Sequence, residues 1–191
     1  MNSSAWIETY IEAQIRVLRE LPVKDIARFV NIVQQTLEDN KQLIMFGNGG
    51  NAASASHFAA DMGKGASDAI GQRFRVLSLN DNLSWLTAIG NDYAYEDVFD
   101  RQLENMAQAG DVLICGSVSG NSPNCVKAFE WGQQNGLTSV AITSSRKGRL
   151  AELATLPIVV PDEHYGRVED VQMMIYHMVA FAFMELGLNQ A

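Results

Sequence analysis

Apolar residues in the first 40 positions recur every three or four residues, which is the spacing of one face of an α-helix. The pattern is interrupted at Leu21-Pro22, where the proline ring opposes continuation of a helix. It therefore predicts two helices that form an N-terminal helical hairpin. The first stripe consists of Trp6, Ile7, Tyr10, Ile11, Ile15, Val17 and Leu18, and the second of Ile26, Phe29, Val30, Ile32, Val33 and Leu37.

After Asn40 the pattern changes to short apolar runs separated by helix-compatible segments. Such runs are typical of strands buried on both faces of a parallel sheet. The predicted strands are 43–46, 75–79, 111–117, 139–143 and 157–160. A final segment from about 167 to 186 is apolar on most sides, which predicts a long helix buried between elements or subunits. The pattern indicates a doubly wound, flavodoxin-like α/β fold with five parallel strands.

Composition and charge narrow the class of protein. No run among the 191 residues approaches the roughly 18 apolar positions of a membrane span. The net charge of −8 disfavours nucleic acid and anionic membranes as partners, because both select for clustered Lys and Arg. The N-terminus lacks the basic flank and apolar core of a signal peptide, so we expect a cytoplasmic location.

The chain shows no repeat, low-complexity tract or flexible linker. We therefore expect a single domain over residues 1–191, in which residues 1–40 form a helical extension used in oligomer packing. Its two cysteines, Cys115 and Cys125, lack the spacing of a zinc site and are expected to be reduced structural thiols.

A glycine-rich loop follows the first predicted strand. Its segment GNGGNA (47–52) matches the dinucleotide fingerprint in its Ala form. That fingerprint expects an acidic residue at the end of the second strand about 20 residues later, whereas this strand ends roughly 30 residues later. A purely structural turn is a second alternative. We favour a loop that binds an anion or a sugar, because ligands of doubly wound sheets bind beyond the carboxyl ends of the strands.

A serine-rich loop follows the third predicted strand, in the segment GSVSGNS (116–122). Its hydroxyls precede a predicted helix, whose first N–H groups and positive end suit a phosphate. The alternative is an ordinary serine-rich helix cap. No lysine stands at Walker spacing, so the loop is not an NTPase signature. The pattern favours a phosphomonoester site.

The histidines and carboxylates offer a metal or acid–base site. His57 and Asp61 are four residues apart on a predicted helix and share one face, as metal ligands, a proton-transfer couple or a surface ion pair would. Glu169 and His177 are eight residues apart, about 12 Å along a helix, so their spacing alone does not make them co-ligands. They could converge only if Glu169 reaches in from the frayed helix start. His164 is expected at the surface.

Four segments of the chain, in order and over essentially its whole length, resemble the phosphoheptose (D-sedoheptulose 7-phosphate) isomerases, which have the SIS, or sugar isomerase, fold. The segments are GNGGNAASASHFAAD (47–61), TAIGNDYAYEDVF (87–99), SVSGNSPN (117–124) and RVEDVQMMIYH (167–177). The resemblance implies conversion of sedoheptulose 7-phosphate to glycero-manno-heptose 7-phosphate through an enediol, for the heptose of bacterial surface polysaccharides. It also implies a homotetramer with active sites at subunit junctions.

The resemblance also implies roles for individual residues. Asp61 and His177 would transfer protons. A zinc ion, or another divalent metal, would be held by His57, Asp61, Glu169 and His177. The phosphorylated sugar would be bound by Asn48, Gly49, Gly50, Asn51, Asn91, Asp92, Ser117, Val118, Ser119, Ser122 and Glu169.

Some positions depart from the family pattern while keeping compatible chemistry. Asparagine replaces serine at Asn51, aspartate replaces glutamate at Asp61, valine replaces threonine at Val118, glutamate replaces glutamine at Glu169, and Gly65, beside Lys64, replaces an arginine. These changes keep two alternatives open. One is an isomerase of another sugar phosphate, and the other is a non-catalytic SIS-type adaptor that binds a replication initiator.

Overall fold

Five parallel strands form the centre of the structure, a computed structural model that describes residues 3–187. The strands are β1 (Gln42–Gly47), β2 (Arg75–Ser78), β3 (Val112–Ser117), β4 (Thr138–Thr143) and β5 (Leu156–Val159). They are arranged in the order β2-β1-β3-β4-β5. This order confirms the predicted doubly wound, flavodoxin-like sheet.

The chain reverses its direction of winding between β1 and β3, which lie side by side. Their register pairs Gly47 with Gly116, so the two strands end at the same level. A crevice forms where the winding reverses, and ligands of such sheets bind there. The glycine-rich loop and the serine-rich loop therefore begin next to each other.

Helices cover both faces of the sheet. The N-terminal hairpin is formed by α1 (Ser3–Arg19) and α2 (Val23–Glu38), as predicted, and the long C-terminal helix extends over Tyr165–Leu186. In chain order, the remaining helices are α3 (Gly50–Ala60), α4 (Ser67–Ile70), α5 (Leu83–Asp92), α6 (Asp100–Met106), α7 (Pro123–Gln134) and α8 (Gly148–Leu153), and the C-terminal helix is α9. A π-helical segment (Asp61–Ala66) joins α3 to α4, and a 3-10 turn (Tyr95–Asp97) precedes α6.

Successive residues of β1 contribute to two separate hydrophobic cores. Leu43 and Met45 pack with α2, α3 and α9 on one face, whereas Ile44 and Phe46 pack with α5, α6 and α7 on the other. This alternation follows from the two-residue period of a strand. Both faces being covered explains why the strands are continuous apolar runs. Within residues 3–187, no helix is long and apolar enough to cross a membrane.

An ion pair fixes the start of α9. Arg167 donates from Nε to Oδ2 of Asp162 at 2.5 Å and from Nη2 to Oδ1 at 2.9 Å. Exposed His164 caps the helix, because its Nδ1 accepts the backbone N–H of Arg167 at 3.4 Å. The hydroxyl of Tyr10 donates to Asp170 at 2.8 Å and so connects α1 to the same helix end. These contacts position the helix that carries Glu169 and His177.

The Arg167 guanidinium lowers the pKa of Asp162 from 3.8 to about 2. A carboxyl whose pKa falls on folding stabilises the folded state above its unfolded pKa, and this contribution is lost as the pH falls towards the folded pKa. We expect the free energy of unfolding of the wild type to fall by up to about 2 kcal/mol more than that of Asp162→Asn between roughly pH 5 and pH 2. Urea denaturation across this pH range measures the difference.

Asp25→Asn is the matched control, since Asp25 pairs with Arg28 at 3.2 Å on the exposed surface. Such pairs contribute little to stability, so the pH dependence of this variant should follow that of the wild type. An Asp162→Asn curve parallel to the wild-type curve would contradict the role assigned to the ion pair.

Candidate active site

A small pocket of about 70 Å³, the serine pocket, lies where β1 and β3 end. It brings together most of the residues that the sequence predicts to bind substrate. Its lining consists of Asn48, Asn51, Gly116, Ser117, Val118, Ser119, Ser122, Tyr165 and Glu169. The glycine-rich loop, the serine-rich loop and the start of α9 thus contribute to one site.

Gly49 and Gly50 of the glycine-rich loop are glycines for different structural reasons. Gly49 has a φ of 57°, in the left-handed region that favours glycine. At Gly50, a Cβ atom would lie 3.3 Å from both carboxylate oxygens of Glu169. The Glu169 carboxylate therefore lies beside the first turn of α3, where the positive end of the helix favours a negative charge.

Asn51 joins the two loops at the bottom of the pocket. Its buried side chain fills the space beside Gly116, where a Cβ atom would lie 2.2 Å from Asn51 Oδ1 and 3.0 Å from the hydroxyl of Tyr176. Asn51 Oδ1 has no hydrogen-bond partner among the described residues. An unsatisfied buried acceptor costs roughly 1–3 kcal/mol, and a hydroxyl of a bound ligand could satisfy it.

The serine-rich loop keeps its hydroxyl hydrogens available for a ligand. Ser117 Oγ accepts the N–H of Gly120, and Ser119 Oγ accepts the N–H of Asn121, each at 3.2 Å. Both hydroxyls act as acceptors in these bonds and can donate elsewhere. Ser122 precedes α7 without making a side-chain capping bond. Three hydroxyls at the start of a 12-residue helix form a suitable environment for a phosphate.

A second group of side chains lies further along α3 and α9. The Nε2 atoms of His57 and His177 are 3.2 Å apart, and Asp61 Oδ2 is 3.3 Å from the first and 3.7 Å from the second. Asp61 Oδ2 is buried and has no hydrogen-bond partner in the part of the chain that the structure describes. Two imidazole nitrogens and a carboxylate oxygen are ligands that zinc prefers, and a divalent cation would satisfy this oxygen. The donor set therefore fits a metal.

Glu169 is not a member of this group. Among the described residues, the atoms close enough to share a cation belong to His57, Asp61 and His177. Glu169 instead lines the serine pocket, two turns earlier on α9. The distance of about 12 Å expected along a helix accounts for this separation.

A π-helical segment begins at Asp61, immediately after α3. Its wide turn is visible at Ser67, whose backbone N–H bonds to the carbonyl of Met62, five residues earlier. Gly65 lies against α9, since a Cβ atom there would be 2.3 Å from Met184 Cε. Single π turns are frequent at functional sites. The predicted helix that carries His57 and Asp61 did not include this feature.

Two predicted substrate residues lie outside both groups. Asn91 and Asp92 are exposed at the end of α5, where Asn91 Nδ2 donates to Asp92 Oδ1 at 2.8 Å. Within one chain, the structure does not bring them to the pocket. Sequence reasoning also missed Asn124 and Tyr95, which both hydrogen-bond to Asn48.

Two buried groups lie next to Gly116 of the pocket lining, the thiol of Cys115 and the hydroxyl of Tyr176. Burial raises the pKa of the Cys115 thiol and that of the Tyr176 hydroxyl. Both therefore stay protonated at neutral pH and supply no nucleophile or base. Cys115 and Cys125 are buried free thiols, and Cys125 Sγ lies 3.7 Å from Asn48 Nδ2.

Known proteins are similar to the chain in both sequence and fold. Residues 7–144 match the SIS domain family. The phosphoheptose isomerase of Sulfurimonas denitrificans is 36% identical over 183 residues, which cover 91% of this chain and 93% of that protein. The phosphoheptose isomerase of Clostridium acetobutylicum is 36% identical over 177 residues, with coverages of 92% and 89%. The solved phosphoheptose isomerase from Neisseria gonorrhoeae has a TM-score of 0.88 at 28% identity, and the match covers 95% of this chain and 98% of that one.

Gly120→Ala should disturb the serine-rich loop. Gly120 has a φ of 65°, and a Cβ atom there would lie 2.0 Å from the backbone oxygen of Lys147. We expect the free energy of unfolding to fall by about 2 kcal/mol or more, because the loop must move and the backbone is strained. Chemical denaturation measures this loss.

Gly90→Ala is the matched control. Gly90 is inside α5, and a Cβ atom there would make an ordinary contact of 3.7 Å with Val98. Alanine is the better helix former, so this variant should be as stable as the wild type or up to about 1 kcal/mol more stable. Equal stability of Gly120→Ala and Gly90→Ala would contradict the predicted clash.

Proposed function

The chain belongs to the SIS domain family and, within it, to the phosphoheptose isomerases, and from this membership we propose that it isomerises sedoheptulose 7-phosphate to glycero-manno-heptose 7-phosphate. The observation that carries the proposal is that α3 and α9 each connect the serine pocket to the group formed by His57, Asp61 and His177. Eight residues separate Glu169 from His177, about 12 Å of helix. One extended sugar phosphate would place its phosphate in the serine pocket and direct its carbonyl towards this group.

The phosphate end would provide orientation. Ser117, Ser119 and Ser122 would donate to the phosphate oxygens at the positive end of α7. Asn51 Oδ1, which is buried and unpaired among the described residues, would accept a sugar hydroxyl. Binding at this end restricts the sugar to one position, so that its carbonyl end reaches the reactive side chains.

The reaction needs a base that removes a proton beside the carbonyl and returns it to the neighbouring carbon. We assign this role to Asp61 and the transfer of the hydroxyl proton to His177. Asp61 Oδ2 and His177 Nε2 lie 3.7 Å apart. Each positioned acid or base contributes roughly 10²- to 10⁴-fold to the rate.

We further propose that His57, Asp61 and His177 hold a divalent metal, with zinc as the first candidate. The buried Asp61 Oδ2, which has no hydrogen-bond partner among the described residues, and the two converging Nε2 atoms support this assignment. When bound, such a metal polarises a carbonyl and stabilises an enediolate. Asp61 has a second carboxylate oxygen for proton transfer. Glu169 is assigned first to the substrate, because it would have to leave Gly50 to become the fourth ligand.

The proposed assembly is a homotetramer of single-domain chains, with active sites at subunit junctions and residues 1–40 in the interfaces. Exposed apolar residues support it, since such patches mark interaction surfaces. Asn91 and Asp92, exposed away from their own pocket, would reach the pocket of a partner chain. The exposed apolar residues are Trp6, Ile7 and Ile11 on α1 and Met178 and Phe181 on α9.

The proposed setting is the cytoplasm, in the supply of heptose for bacterial surface polysaccharides. Isomerisation of another sugar phosphate is the second candidate, favoured by Asn51 and Glu169, which depart from the family pattern inside the pocket. The non-catalytic adaptor is less well supported, because His57 and His177 are both present and adjacent to Asp61.

Incubation of the purified protein with sedoheptulose 7-phosphate should yield a heptose 7-phosphate, detected by coupled assay or mass spectrometry with chromatographic separation. Asp61→Asn should lower kcat at least about 100-fold with little change in KM, because the amide cannot accept the proton. Asp68→Asn, on the exposed surface of α4 beside Arg73, should remain within about twofold of the wild type. No turnover by the wild type with any divalent metal would refute the proposal, and turnover of a different sugar phosphate alone would favour the second candidate.

Metal binding should depend on the proposed ligands. After chelation and dialysis, the wild type should take up about one zinc ion per chain in calorimetry and elemental analysis. His177→Ala should lower the zinc affinity at least about tenfold, because one of three ligands is lost. His164→Ala should bind zinc like the wild type, since His164 caps α9 outside this group. Unchanged zinc binding by His177→Ala would contradict the assignment.

A further inference from the structure

The side chain of Asn48 is held by hydrogen bonds at both of its polar atoms. Oδ1 accepts from Nδ2 of Asn124 and from the hydroxyl of Tyr95, each at 2.9 Å. Nδ2 donates to Oδ1 of Asn124, also at 2.9 Å. The second N–H of this amide lies near Cys125 Sγ, at 3.7 Å. Asn48 therefore has little hydrogen-bonding capacity left for a ligand.

Asn124 connects the glycine-rich loop to the helix that follows the serine-rich loop. It lies in the first turn of α7 and its side chain is buried. Its Oδ1 also accepts the backbone N–H of Cys125 at 3.0 Å. This bond identifies Oδ1 as the acceptor and so fixes the orientation of the Asn124 amide towards Asn48.

Tyr95 reaches Asn48 from the 3-10 turn, and this turn is attached to α7 by charge. Lys127 of α7 contacts Asp97, and its Nζ lies 3.5 Å from Asp100 Oδ2. The hydrogen bond to Lys127 lowers the pKa of Asp97, which keeps this pair ionised at neutral pH. Tyr95 is 58% exposed, so the position of its side chain depends on the turn and on Asn48 rather than on burial.

Asn48 lies between two cavities, and Tyr95 and Asn124 line the larger one. The serine pocket lies on one side. A larger cavity of about 560 Å³ lies on the other side, between the 3-10 turn and the start of α7. Among the described residues, the linings of the two cavities share only Asn48 and Ser122. The position of Asn48 therefore determines the width of the pocket on this side.

We propose that Tyr95 and Asn124 are positioning residues: through Asn48 they hold the glycine-rich loop at the distance from the serine-rich loop that the phosphosugar requires. The inference rests on the proposed isomerase function and assigns the Asn48 side chain to the shape of the loop rather than to a bond with the sugar. Loss of the Tyr95 hydroxyl would leave the Asn48 side chain held by Asn124 and by its contact with Cys125 Sγ, so that the pocket forms but is less well ordered.

Tyr95→Phe tests the role kinetically. We expect KM for sedoheptulose 7-phosphate to rise about 3- to 10-fold, the effect of one lost hydrogen bond, with kcat within about twofold. Tyr93→Phe is the matched control, because Tyr93 is 60% exposed and its ring lies against the guanidinium of Arg101 at 3.7 Å. This control should have wild-type kinetics. Unchanged KM in an active Tyr95→Phe variant would overturn the proposal.

A double-mutant cycle separates positioning from direct contact with the sugar. If Tyr95 acts through Asn48, Tyr95→Phe should add no further rise in KM to Asn48→Ala. Multiplication of the two effects would instead assign Tyr95 to the substrate and would overturn the proposal.

Nuclear magnetic resonance provides a readout that does not depend on turnover. In ¹⁵N-labelled protein, Tyr95→Phe should shift the side-chain amide resonances of Asn48 and Asn124. Those of Asn80, which bonds to the backbone of Gly47 at 3.0 and 3.1 Å, should stay in place. Unshifted Asn48 and Asn124 resonances would overturn the positioning role. If Tyr95→Phe shifts these resonances but the wild-type protein shows no turnover, only the proposed function is refuted.

Discussion

The pairing of β1 with β3 is the constraint on which the rest of the molecule depends. Parallel strands end at the same edge of a sheet, and here the register places Gly47 directly beside Gly116. Neither position tolerates a side chain, because Asn51 occupies the space next to both glycines. The glycine-rich loop and the serine-rich loop, about 70 residues apart in sequence, therefore begin next to each other. The serine pocket is a direct consequence of this register.

Two helices extend the site from this edge over the sheet. α3 leads from Asn51 to His57, and α9 leads from Glu169 to His177. Hydrophobic packing supports both of them, so the polar groups on their pocket sides do not need to satisfy one another. Asn51 Oδ1 and Asp61 Oδ2 are accordingly buried without hydrogen bonds among residues 3–187. Such atoms lower stability, and proteins retain them where a ligand is to be bound.

The fold was predictable from the sequence because burial on both faces makes each strand a continuous apolar run. β1 and β3 lie within one residue of the predicted runs 43–46 and 111–117. The serine pocket was predictable from residue types at the ends of these strands. Asn124 and Tyr95 were not, since their bonds to Asn48 join positions 76 and 47 residues apart and leave no periodic signal. Asn91 and Asp92 show a different limit: one chain alone does not bring them to the pocket.

The π-helical segment after α3 changes how the neighbouring sequence has to be interpreted. One additional residue in a turn rotates everything that follows by about 100° relative to an ordinary helix. A helical wheel drawn from Gly50 through Ile70 would therefore assign the residues after Asp61 to the wrong sides. Gly65 then lies against Met184 of α9, where little space remains for a side chain. Sequence changes between positions 61 and 66 should accordingly be compared among relatives by their phase around the helix axis, and not by their number along the chain.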